Sequence, residues 1–168
     1  DVELVGVFDK ELGNPLYDLT ALAIMGIVDA LKKLRFFFKL RDELVDLAKD
    51  SDKVLLMDSS GFNLPLAKKL RETYPNKEII YYILPQAWAW KKGRVAKLEK
   101  YCTKLCSIIP FESEMYSDKN KITYVGHPLL DEITDFKEKL SNTNKIAFMP
   151  GSRKTEITNL MPIFRELI

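Results

Sequence analysis

Along this chain, short apolar runs alternate with longer stretches in which apolar and polar residues follow helical periodicity. The apolar runs predict strands at residues 4–8, 54–57, 79–84, 105–109, 122–125 and 146–149. The periodic stretches predict helices at residues 19–40, 42–49, 64–74, 95–101, 112–118 and 155–168, with a turn into a helix at 128–131. Strands that alternate with helices in this way predict a mostly parallel α/β sheet with helices on both faces.

A change in the pattern divides the chain into two parts. Residues 137–145 are polar and lack periodicity, which is typical of a linker. We predict a Rossmann-like first domain at residues 1–138, a linker at 139–145 and the first strand–helix unit of a second domain at 146–168. The chain starts without Met in a predicted strand and stops in a predicted helix, so we expect a segment of a longer protein.

The composition, with 46% hydrophobic and 30% charged residues, is that of a globular domain. A net charge of +2 is too small to argue for a nucleic-acid partner. One His and two Cys provide no set of zinc ligands, and the two cysteines fit a reduced cytosolic setting better than a disulfide framework. No apolar run approaches the length of a membrane span.

The strand predicted at residues 79–84 leads into the region with the most candidate chemistry. Pro85 ends the strand, both tryptophans follow at Trp88 and Trp90, and Arg94 lies in a basic stretch that opens the next helix. In open parallel sheets, ligands bind beyond the carboxyl ends of the strands, where this segment lies. The alternative is that both tryptophans belong to the core and the basic residues form a solvated surface.

Asp58 follows the predicted strand at residues 54–57, whose four apolar residues indicate a buried strand. Gly61 and Asn63 allow a tight turn into the next helix, and Pro65 is tolerated in the first turn of that helix. A partly buried carboxylate at the mouth of a site could serve as a general base. The alternative is that Asp58 caps the following turn with its side chain.

The sequence Pro150-Gly151-Ser152-Arg153 opens the last predicted helix. Unsatisfied N–H groups and the helix dipole favour an anion there, and Arg153 can bind phosphate through two parallel hydrogen bonds. Gly151 lets a ligand approach the backbone. The motif lacks the full pattern of a P-loop or a dinucleotide fingerprint, so a well-capped helix with an exposed Arg153 is the alternative.

His127, the only histidine, lies between Gly126 and Pro128 after the strand predicted at residues 122–125. It could bind a substrate or act as a base. It could equally fix the turn that Gly126 and Pro128 impose. We favour a role in positioning the loop between the two predicted domains over proton transfer.

Residues 19–41 combine a broad apolar stripe with several basic residues. The stripe and the residues that follow it include Met25, Val28, Leu31, Phe36, Phe37 and Phe38. Three consecutive phenylalanines cannot all face one core, because a helix turns by about 100° per residue. A basic, aromatic-rich amphipathic segment is typical of a helix on a membrane surface, and a core helix with solvated lysines is the alternative.

Six short motifs, taken together, resemble the lipid-A-disaccharide synthase family, bacterial glycosyltransferases that join two acylated glucosamines. They run in the family's order, and they are Leu22-Ala-Ile-Met-Gly-Ile-Val28, Asp58 with Phe62-Asn63, Trp88-Ala-Trp90 with Arg94, Pro110-Phe111-Glu112, Tyr124-Val-Gly-His-Pro128 and Pro150-Gly-Ser-Arg153. The Trp-Ala-Trp motif and the Pro-Gly-Ser-Arg turn are the more specific ones.

The resemblance implies a GT-B fold with two domains, of which the first holds 2,3-diacylglucosamine 1-phosphate and the second holds UDP-2,3-diacylglucosamine. The acceptor's 6-hydroxyl would attack the donor's anomeric carbon, invert it to a β(1→6) link and release UDP, without a metal or other cofactor. The resemblance also implies a peripheral enzyme on anionic lipid at the cytoplasmic face of the bacterial inner membrane. It is compatible with a homo-oligomer.

The same resemblance assigns roles to individual residues. Asp58 would be the catalytic base, and Gly151, Ser152 and Arg153 would bind the donor diphosphate. The residues implied to line the substrate pocket are Asn63, Trp88, Trp90, Arg94, Glu112 and His127. Those implied to form the membrane or acyl surface are Met25, Val28, Leu31, Phe36, Phe37 and Phe38.

The chain departs from the family's pattern at several places. Gly61 stands where the family commonly has a second Asp, and Gln86-Ala87 replaces a serine-containing form of the aromatic loop. The family's first glycine-rich turn and most of its donor domain are not in this sequence, so we expect this chain alone to be inactive. Asp50-Ser51-Asp52 matches a metal-binding motif of some glycosyltransferases, but it precedes a strand, so we interpret it as a polar turn.

Two other kinds of protein would share these features. Another UDP-sugar enzyme with the GT-B fold, such as a UDP-N-acetylglucosamine epimerase or a peptidoglycan-type transferase, has the same architecture. Such an enzyme has no need of the basic, aromatic surface at residues 19–41 when its substrate is a soluble sugar. A non-enzymatic peripheral lipid-binding module explains that surface but leaves Asp58 and the Pro-Gly-Ser-Arg turn unexplained.

Overall fold

The computed structural model describes residues 2–19, 30–135 and 144–167, and at residues 30–33 it describes the backbone alone. The chain forms two compact units, residues 1–132 and residues 133–168. The predicted linker at 139–145 lies largely outside the described residues, so the predicted domain boundaries stay a prediction.

The first unit opens with two short parallel strands, β1 (Val7–Phe8) and β2 (Tyr17–Asp18), which form a sheet of their own. A 3₁₀ helix at Lys10–Leu12 lies between them, and the Asp9 carboxylate caps it by accepting a hydrogen bond from the N–H of Glu11 at 2.9 Å. The strand predicted at residues 4–8 is therefore reduced to its last two residues.

Within the described residues, the main sheet has four parallel strands in the order of the chain. They are β3 (Lys53–Met57), β4 (Glu78–Tyr82), β5 (Lys104–Ser107) and β6 (Ile122–Tyr124). The α helices of this unit are α1 (described over Ala30–Leu47), α2 (Ser60–Thr73), α3 (Gly93–Tyr101) and α4 (Leu129–Glu132). A 3₁₀ helix at Pro110–Met115 links β5 to β6, where we predicted a helix at residues 112–118. The parallel α/β, Rossmann-like fold class is confirmed.

The hydrophobic core lies along one row of residues that runs across the sheet. Leu56 is aligned with Tyr81, Tyr81 with Leu105 and Leu105 with Ile122, and all four side chains are buried. Helix α1 packs against α2, and α2 packs against α3. The helices add buried residues to the same core cluster, namely Val45, Ala48, Leu64, Leu66, Ala67, Leu70 and Leu98.

The prediction of a buried strand at residues 54–57 is wrong for Leu55 and Met57, and Val54 is half-buried. Leu56 is buried, but Leu55 and Met57 are 63% and 48% exposed. Successive side chains of a strand point to opposite faces, so Leu55 and Met57 lie on the face opposite the core row. An apolar run cannot by itself show whether the second face of a sheet is covered.

Two predicted helix boundaries also need correction. Helix α1 passes through Arg41 without the predicted break between residues 40 and 42, because no Gly or Pro interrupts it and Lys39 pairs with Glu43 one turn later at 3.3 Å. Helix α2 begins at Ser60, four residues before its predicted start, so Pro65 lies in its interior and removes a helical hydrogen bond. The part of the predicted helix at residues 20–29 lies outside the described residues.

The second unit contains helix α5 (Lys154–Glu166), which confirms the predicted helix near residues 155–168. The strand predicted at residues 146–149 is wrong, since these residues form no strand. Ile146 and Met149 are 80% and 85% exposed, and the ring of Phe148 packs on Phe164 of α5 with 5.0 Å between centroids. A strand needs a hydrogen-bonding neighbour, and the described residues of this unit supply none.

Candidate active site at the carboxyl ends of the strands

The chain leaves β3 through a strained turn that contains Asp58. Asp58 and Ser59 have φ angles of 48° and 38°, the left-handed region that non-glycine residues rarely adopt. Each such residue costs on the order of 1–3 kcal/mol and persists where its surroundings fix it. The Asp58 side chain is exposed, which corrects the expectation of partial burial. Nor does it cap α2, because Ser59 is the N-cap residue and no side-chain cap bond is made there.

Asn63 and Tyr81 hold this turn from below. The Asn63 side-chain amide donates hydrogen bonds to the carbonyl oxygens of Met57 at 2.9 Å and Asp58 at 3.0 Å. The Tyr81 hydroxyl donates to the same Asp58 carbonyl. Asn63 was implied to line a substrate pocket, but its side chain is 8% exposed and directs its N–H groups at the backbone. Asn63 therefore shapes the turn in this structure.

The tryptophans after β4 are exposed, which excludes the interpretation that both belong to the core. Trp88 is 39% and Trp90 55% exposed. The Lys91 ammonium lies 4.5 Å and the Arg94 guanidinium 5.1 Å from the centroid of the Trp90 ring, both within cation–π range. This group forms an aromatic and cationic surface beyond the carboxyl end of β4, as the sequence predicted.

Trp88 is paired with an aromatic residue from the next connection. Its ring meets that of Phe111 edge to face, with 5.3 Å between centroids, and Phe111 is 47% exposed. Two adjoining exposed aromatic rings offer an apolar surface to a sugar ring or an acyl chain.

Glu112 is buried and does not lie on an open pocket wall, as its implied role would require. It is 3% exposed, and its Oε2 atom accepts a hydrogen bond of 2.5 Å from the hydroxyl of the fully buried Ser107. Burial raises the pKa of Glu112 above its ordinary value, while hydrogen bonds that involve Ser107, Ile109 and Trp88 partly oppose that rise. The carboxyl group thus supports the base of the Trp88 loop.

The raised pKa of Glu112 predicts a pH-dependent difference in stability between the wild type and a Glu112→Gln variant. Below the ordinary pKa of 4.5, Glu112 is protonated in both the folded and the unfolded state, so its titration costs nothing. As the pH rises from there, the unfolded state releases the proton first and the wild type loses free energy of unfolding relative to the variant.

Chemical denaturation of both proteins between about pH 4 and pH 8 measures this difference. Glu114→Gln is the control, because Glu114 belongs to the same 3₁₀ helix and is exposed. A difference between wild type and Glu112→Gln that stays constant with pH would contradict the assignment.

His127 is held in the turn that follows β6. Gly126 has a φ angle of 87°, and the N–H of Leu129 donates to His127 Nδ1 at 3.2 Å. The imidazole therefore ties down this turn, and its favoured role in positioning the loop between the two predicted domains stays a prediction. A cavity of about 150 Å³ adjoins it, lined by Tyr82, Val125, Gly126, His127, Pro128, Leu130 and Asp131.

In the second unit, the start of α5 is occupied by a carboxylate of the chain itself. Glu156 accepts hydrogen bonds from the backbone N–H of Arg153 at 3.2 Å and from its guanidinium at 3.0 Å. These bonds, the backbone one first, lower the pKa of Glu156. Gly151 has a φ angle of 90°, and a Cβ there would lie 2.5 Å from Glu156 Oε2. The turn is thus both a capped helix start and a site where an anion is already bound.

The Arg153 guanidinium remains accessible. Its side chain is 80% exposed, so an external anion can reach it. Arg153 and Ser152 are exposed residues at the start of a helix, as the sequence predicted. Glu156, the carboxylate that binds Arg153, was not recognised in the sequence, although an acidic residue three positions after an N-cap is a known capping signal.

The surface of α1 settles which phenylalanines face outward. Phe37 and Phe38 are 43% and 49% exposed, while Phe36 is half-buried and packs edge to face on Tyr17 at 5.4 Å. The prediction that the three cannot share one core is confirmed. Met25 and Val28 lie outside the described residues, as does the side chain of Leu31. No helix within the described ranges is long and apolar enough to cross a membrane.

The predicted site residues of the first unit follow successive strands of one sheet. Asp58 follows β3, the tryptophans follow β4, Glu112 follows β5 and His127 follows β6. In the described part of the chain, no group of three or more His, Cys, Asp or Glu side chains is arranged to hold a metal ion. Two contributors were missed, Tyr81 and Ser107. A tyrosine inside a buried strand needs a partner for its hydroxyl, which is the signal that could have identified Tyr81.

The parallel sheet with its helices defines a Rossmann-like α/β domain. Its exposed polar and aromatic residues lie beyond the carboxyl ends of the strands, where domains of this class bind ligands. The profile of the lipid-A-disaccharide synthetase family matches residues 1–168. The chain therefore belongs to the lipid-A-disaccharide synthetase family.

Several proteins named lipid-A-disaccharide synthase are similar to the chain. The protein of Helicobacter pylori strain G27 is 51% identical over 164 residues, which cover 98% of this chain and 44% of the relative. That of Helicobacter acinonychis strain Sheeba is 49% identical over 99% of this chain and 45% of its own length. That of Campylobacter jejuni strain RM1221 is 42% identical over 99% and 50%. The chain thus spans about half the length of these relatives.

Proposed function

We propose that this chain is the acceptor side of a lipid-A-disaccharide synthase. The full-length protein would transfer 2,3-diacylglucosamine from its UDP derivative to the 6-hydroxyl of 2,3-diacylglucosamine 1-phosphate. Family membership supports this transferase over a UDP-sugar epimerase, a peptidoglycan-type transferase or a lipid-binding module. The proposal includes a GT-B arrangement in which residues 146–168, within the second unit, begin the donor domain.

The observation that carries the proposal is the exposed carboxylate of Asp58 on a fixed turn at the end of β3. In the reaction, Asp58 accepts the proton of the acceptor's 6-hydroxyl while that oxygen bonds to the anomeric carbon of the donor. The bond from the anomeric carbon to the diphosphate oxygen breaks, its electron pair leaves with UDP, and the configuration inverts. The described residues make no structural hydrogen bond to the exposed Asp58 carboxylate, so it can take this proton without loss of fold.

The exposed aromatic and cationic surface would bind the acceptor. The ring pair Trp88 and Phe111 suits the apolar faces of a glucosamine or its acyl chains. Arg94, which lies over the Trp90 ring, adds a cationic edge that suits the 1-phosphate. His127 would border this region through the turn after β6.

The turn Gly151-Ser152-Arg153 would bind the donor diphosphate. The Arg153 backbone N–H and guanidinium already bind one anion, the Glu156 carboxylate, at 3.2 and 3.0 Å. This observation supports the assignment of the turn as an anion site. A diphosphate would displace the Glu156 carboxylate from these donors, and it would also meet the positive end of the helix dipole of α5.

Arg153→Lys in the full-length protein is expected to weaken donor use by about tenfold, because one charge-assisted hydrogen bond is worth roughly 1.5 kcal/mol and lysine lacks the planar fork. The KM for the UDP sugar and the inhibition constant of UDP should both rise, whereas the KM for the acceptor should change little. Arg165→Lys, an exposed substitution in the last turn of α5, is the control. Full activity of Arg153→Lys would reduce Arg153 to a helix cap.

The exposed side of α1 would place the enzyme on the membrane. Phe37 and Phe38 form an outward apolar surface, with Arg35 exposed beside them. Such a helix binds reversibly to anionic lipid, which fits a peripheral enzyme at the cytoplasmic face of the bacterial inner membrane. The enzyme would then take up its membrane-bound substrates at the surface where their acyl chains lie.

The direct test is to incubate the full-length protein with UDP-2,3-diacylglucosamine and 2,3-diacylglucosamine 1-phosphate. Mass spectrometry should detect the disaccharide, and UDP should appear in equal amount. Release of UDP without disaccharide, or conversion of the UDP sugar to an epimer, would exclude the transferase.

A further inference from the structure

Two buried side chains from different elements meet at one backbone oxygen. The carbonyl of Asp58 accepts a hydrogen bond from the Tyr81 hydroxyl on β4 and one of 3.0 Å from the Asn63 amide on α2. Tyr81 is 0% and Asn63 8% exposed. Water therefore has little access to replace either donor.

This carbonyl belongs to the strained residue that carries the candidate base. The N–H of Asp58 donates to the Tyr82 carbonyl at 3.2 Å, so both peptide groups that flank its Cα are held. Relaxing the φ of 48° would swing the carbonyl away from Tyr81 and Asn63. It would also rotate the Cα–Cβ bond and turn the carboxylate to a new direction. The direction of the Asp58 Cα–Cβ bond, from which the carboxylate extends, is thus tied to these hydrogen bonds.

We propose that Tyr81 is a positioning residue that fixes the direction of the Asp58 carboxylate through the Asp58 carbonyl. Asn63 supplies the second bond, and it also binds the Met57 carbonyl at 2.9 Å, so it fixes the end of β3 as well. Tyr81 touches no reacting atom and contributes only through this turn. The inference rests on the proposed role of Asp58 as the base.

The test compares Tyr81→Phe with the wild type in the full-length protein. The variant loses one oxygen and keeps the ring that fills the core. We expect kcat to fall by about tenfold, below the 10²-fold that a misplacement of 1 Å can cost, with the KM of both substrates nearly unchanged. Tyr116→Phe is the matched control, since it removes the same atom from a second buried tyrosine of the same core.

A double-mutant cycle separates this inference from the proposed function. If Tyr81 acts through Asp58, Tyr81→Phe should have almost no further effect on kcat in an Asp58→Asn background. An equal loss in both backgrounds, or full activity of Tyr81→Phe, would overturn the positioning role. Near-normal turnover of Asp58→Asn alone would instead remove the base, and the proposed mechanism with it.

Folding of each variant is checked by circular dichroism and thermal unfolding. Where Tyr81→Phe does not fold, Asn63→Ala replaces it in the cycle, because it removes the other donor to the same carbonyl. The expected result is the same loss of kcat that disappears in the Asp58→Asn background. A loss that persists there would show that the two donors serve only the fold.

Discussion

Asp58→Asn in the full-length protein is expected to lower turnover by about 10²–10⁴-fold, the range for a positioned general base. Asparagine has nearly the same shape as aspartate but cannot accept the proton of the acceptor hydroxyl. The fold should survive, because the Asp58 side chain is exposed and the turn is held through its backbone. Steady-state kinetics with both substrates should show the loss in kcat, with similar KM values.

A matched control for this substitution is the carboxylate that flanks the other end of β3. Asp52→Asn changes an exposed carboxylate at the amino end of β3, opposite the site, and should keep normal turnover. It also tests the interpretation of Asp50-Ser51-Asp52 as a polar turn. If Asp58→Asn folds and works at nearly the normal rate, the proton acceptor must be another group.

Replacing Phe37 and Phe38 together by Ser is expected to weaken binding to anionic vesicles by about 30-fold. A fully buried Phe contributes on the order of 2 kcal/mol, and each ring is exposed by less than half, so each has about 1 kcal/mol left to gain at a membrane. The sum of about 2 kcal/mol corresponds to the stated factor. Binding of this strength is reversible.

Charge should contribute less to this binding than the number of basic residues implies. Lys39 pairs with Glu43 at 3.3 Å, and Arg41 pairs with Asp42 at 2.7 Å, so both cations are partly neutralised. The Arg41 guanidinium also lies 5.1 Å from the Phe38 ring centroid, which directs it along the apolar surface. The effect of the double substitution should therefore persist at high salt, where screening weakens the remaining electrostatic attraction.

Vesicle sedimentation at low and high salt measures this effect, with Phe36→Ser as the contrasting variant. Phe36 packs on Tyr17, so its loss should lower the free energy of unfolding more than it lowers vesicle binding. Phe38→Ser alone is informative as well, because Phe37 also contacts Phe62 at 5.7 Å. If the wild type does not bind anionic vesicles, the proposed membrane surface is refuted. If the double variant unfolds, both rings contribute to the core.

The sequence determined the positions of several strands and loops, because the residue patterns that predict them are local. Apolar runs that end at Asp58 and Pro85 located the strands β3 and β4 and therefore the edge of the sheet where a site would form. Gly126 and Gly151 indicated two further turns, and both glycines have positive φ angles. The three adjacent phenylalanines required an outward surface by helix geometry alone.

Tertiary structure decided what these local signals left open. An apolar run does not state which of its faces is covered, so the exposure of Leu55 beside the buried Leu56 could not be predicted. The segment at residues 146–149 has the composition of a strand but forms none, since strand formation needs a neighbour. The family resemblance implied an open pocket position for Glu112, which is instead buried and bound by the Ser107 hydroxyl.

The hydrogen bonds that fix the Asp58 turn show most clearly what the sequence determines and what only the tertiary structure decides. Tyr81 lies 23 residues after Asp58, and only the parallel pairing of β3 with β4 brings its hydroxyl to the Asp58 carbonyl. Nothing in the local sequence of either residue specifies that contact. The identity of the candidate base was therefore available from the sequence, whereas the bonds that fix its direction depend on the packing of strands and helices that are distant along the chain.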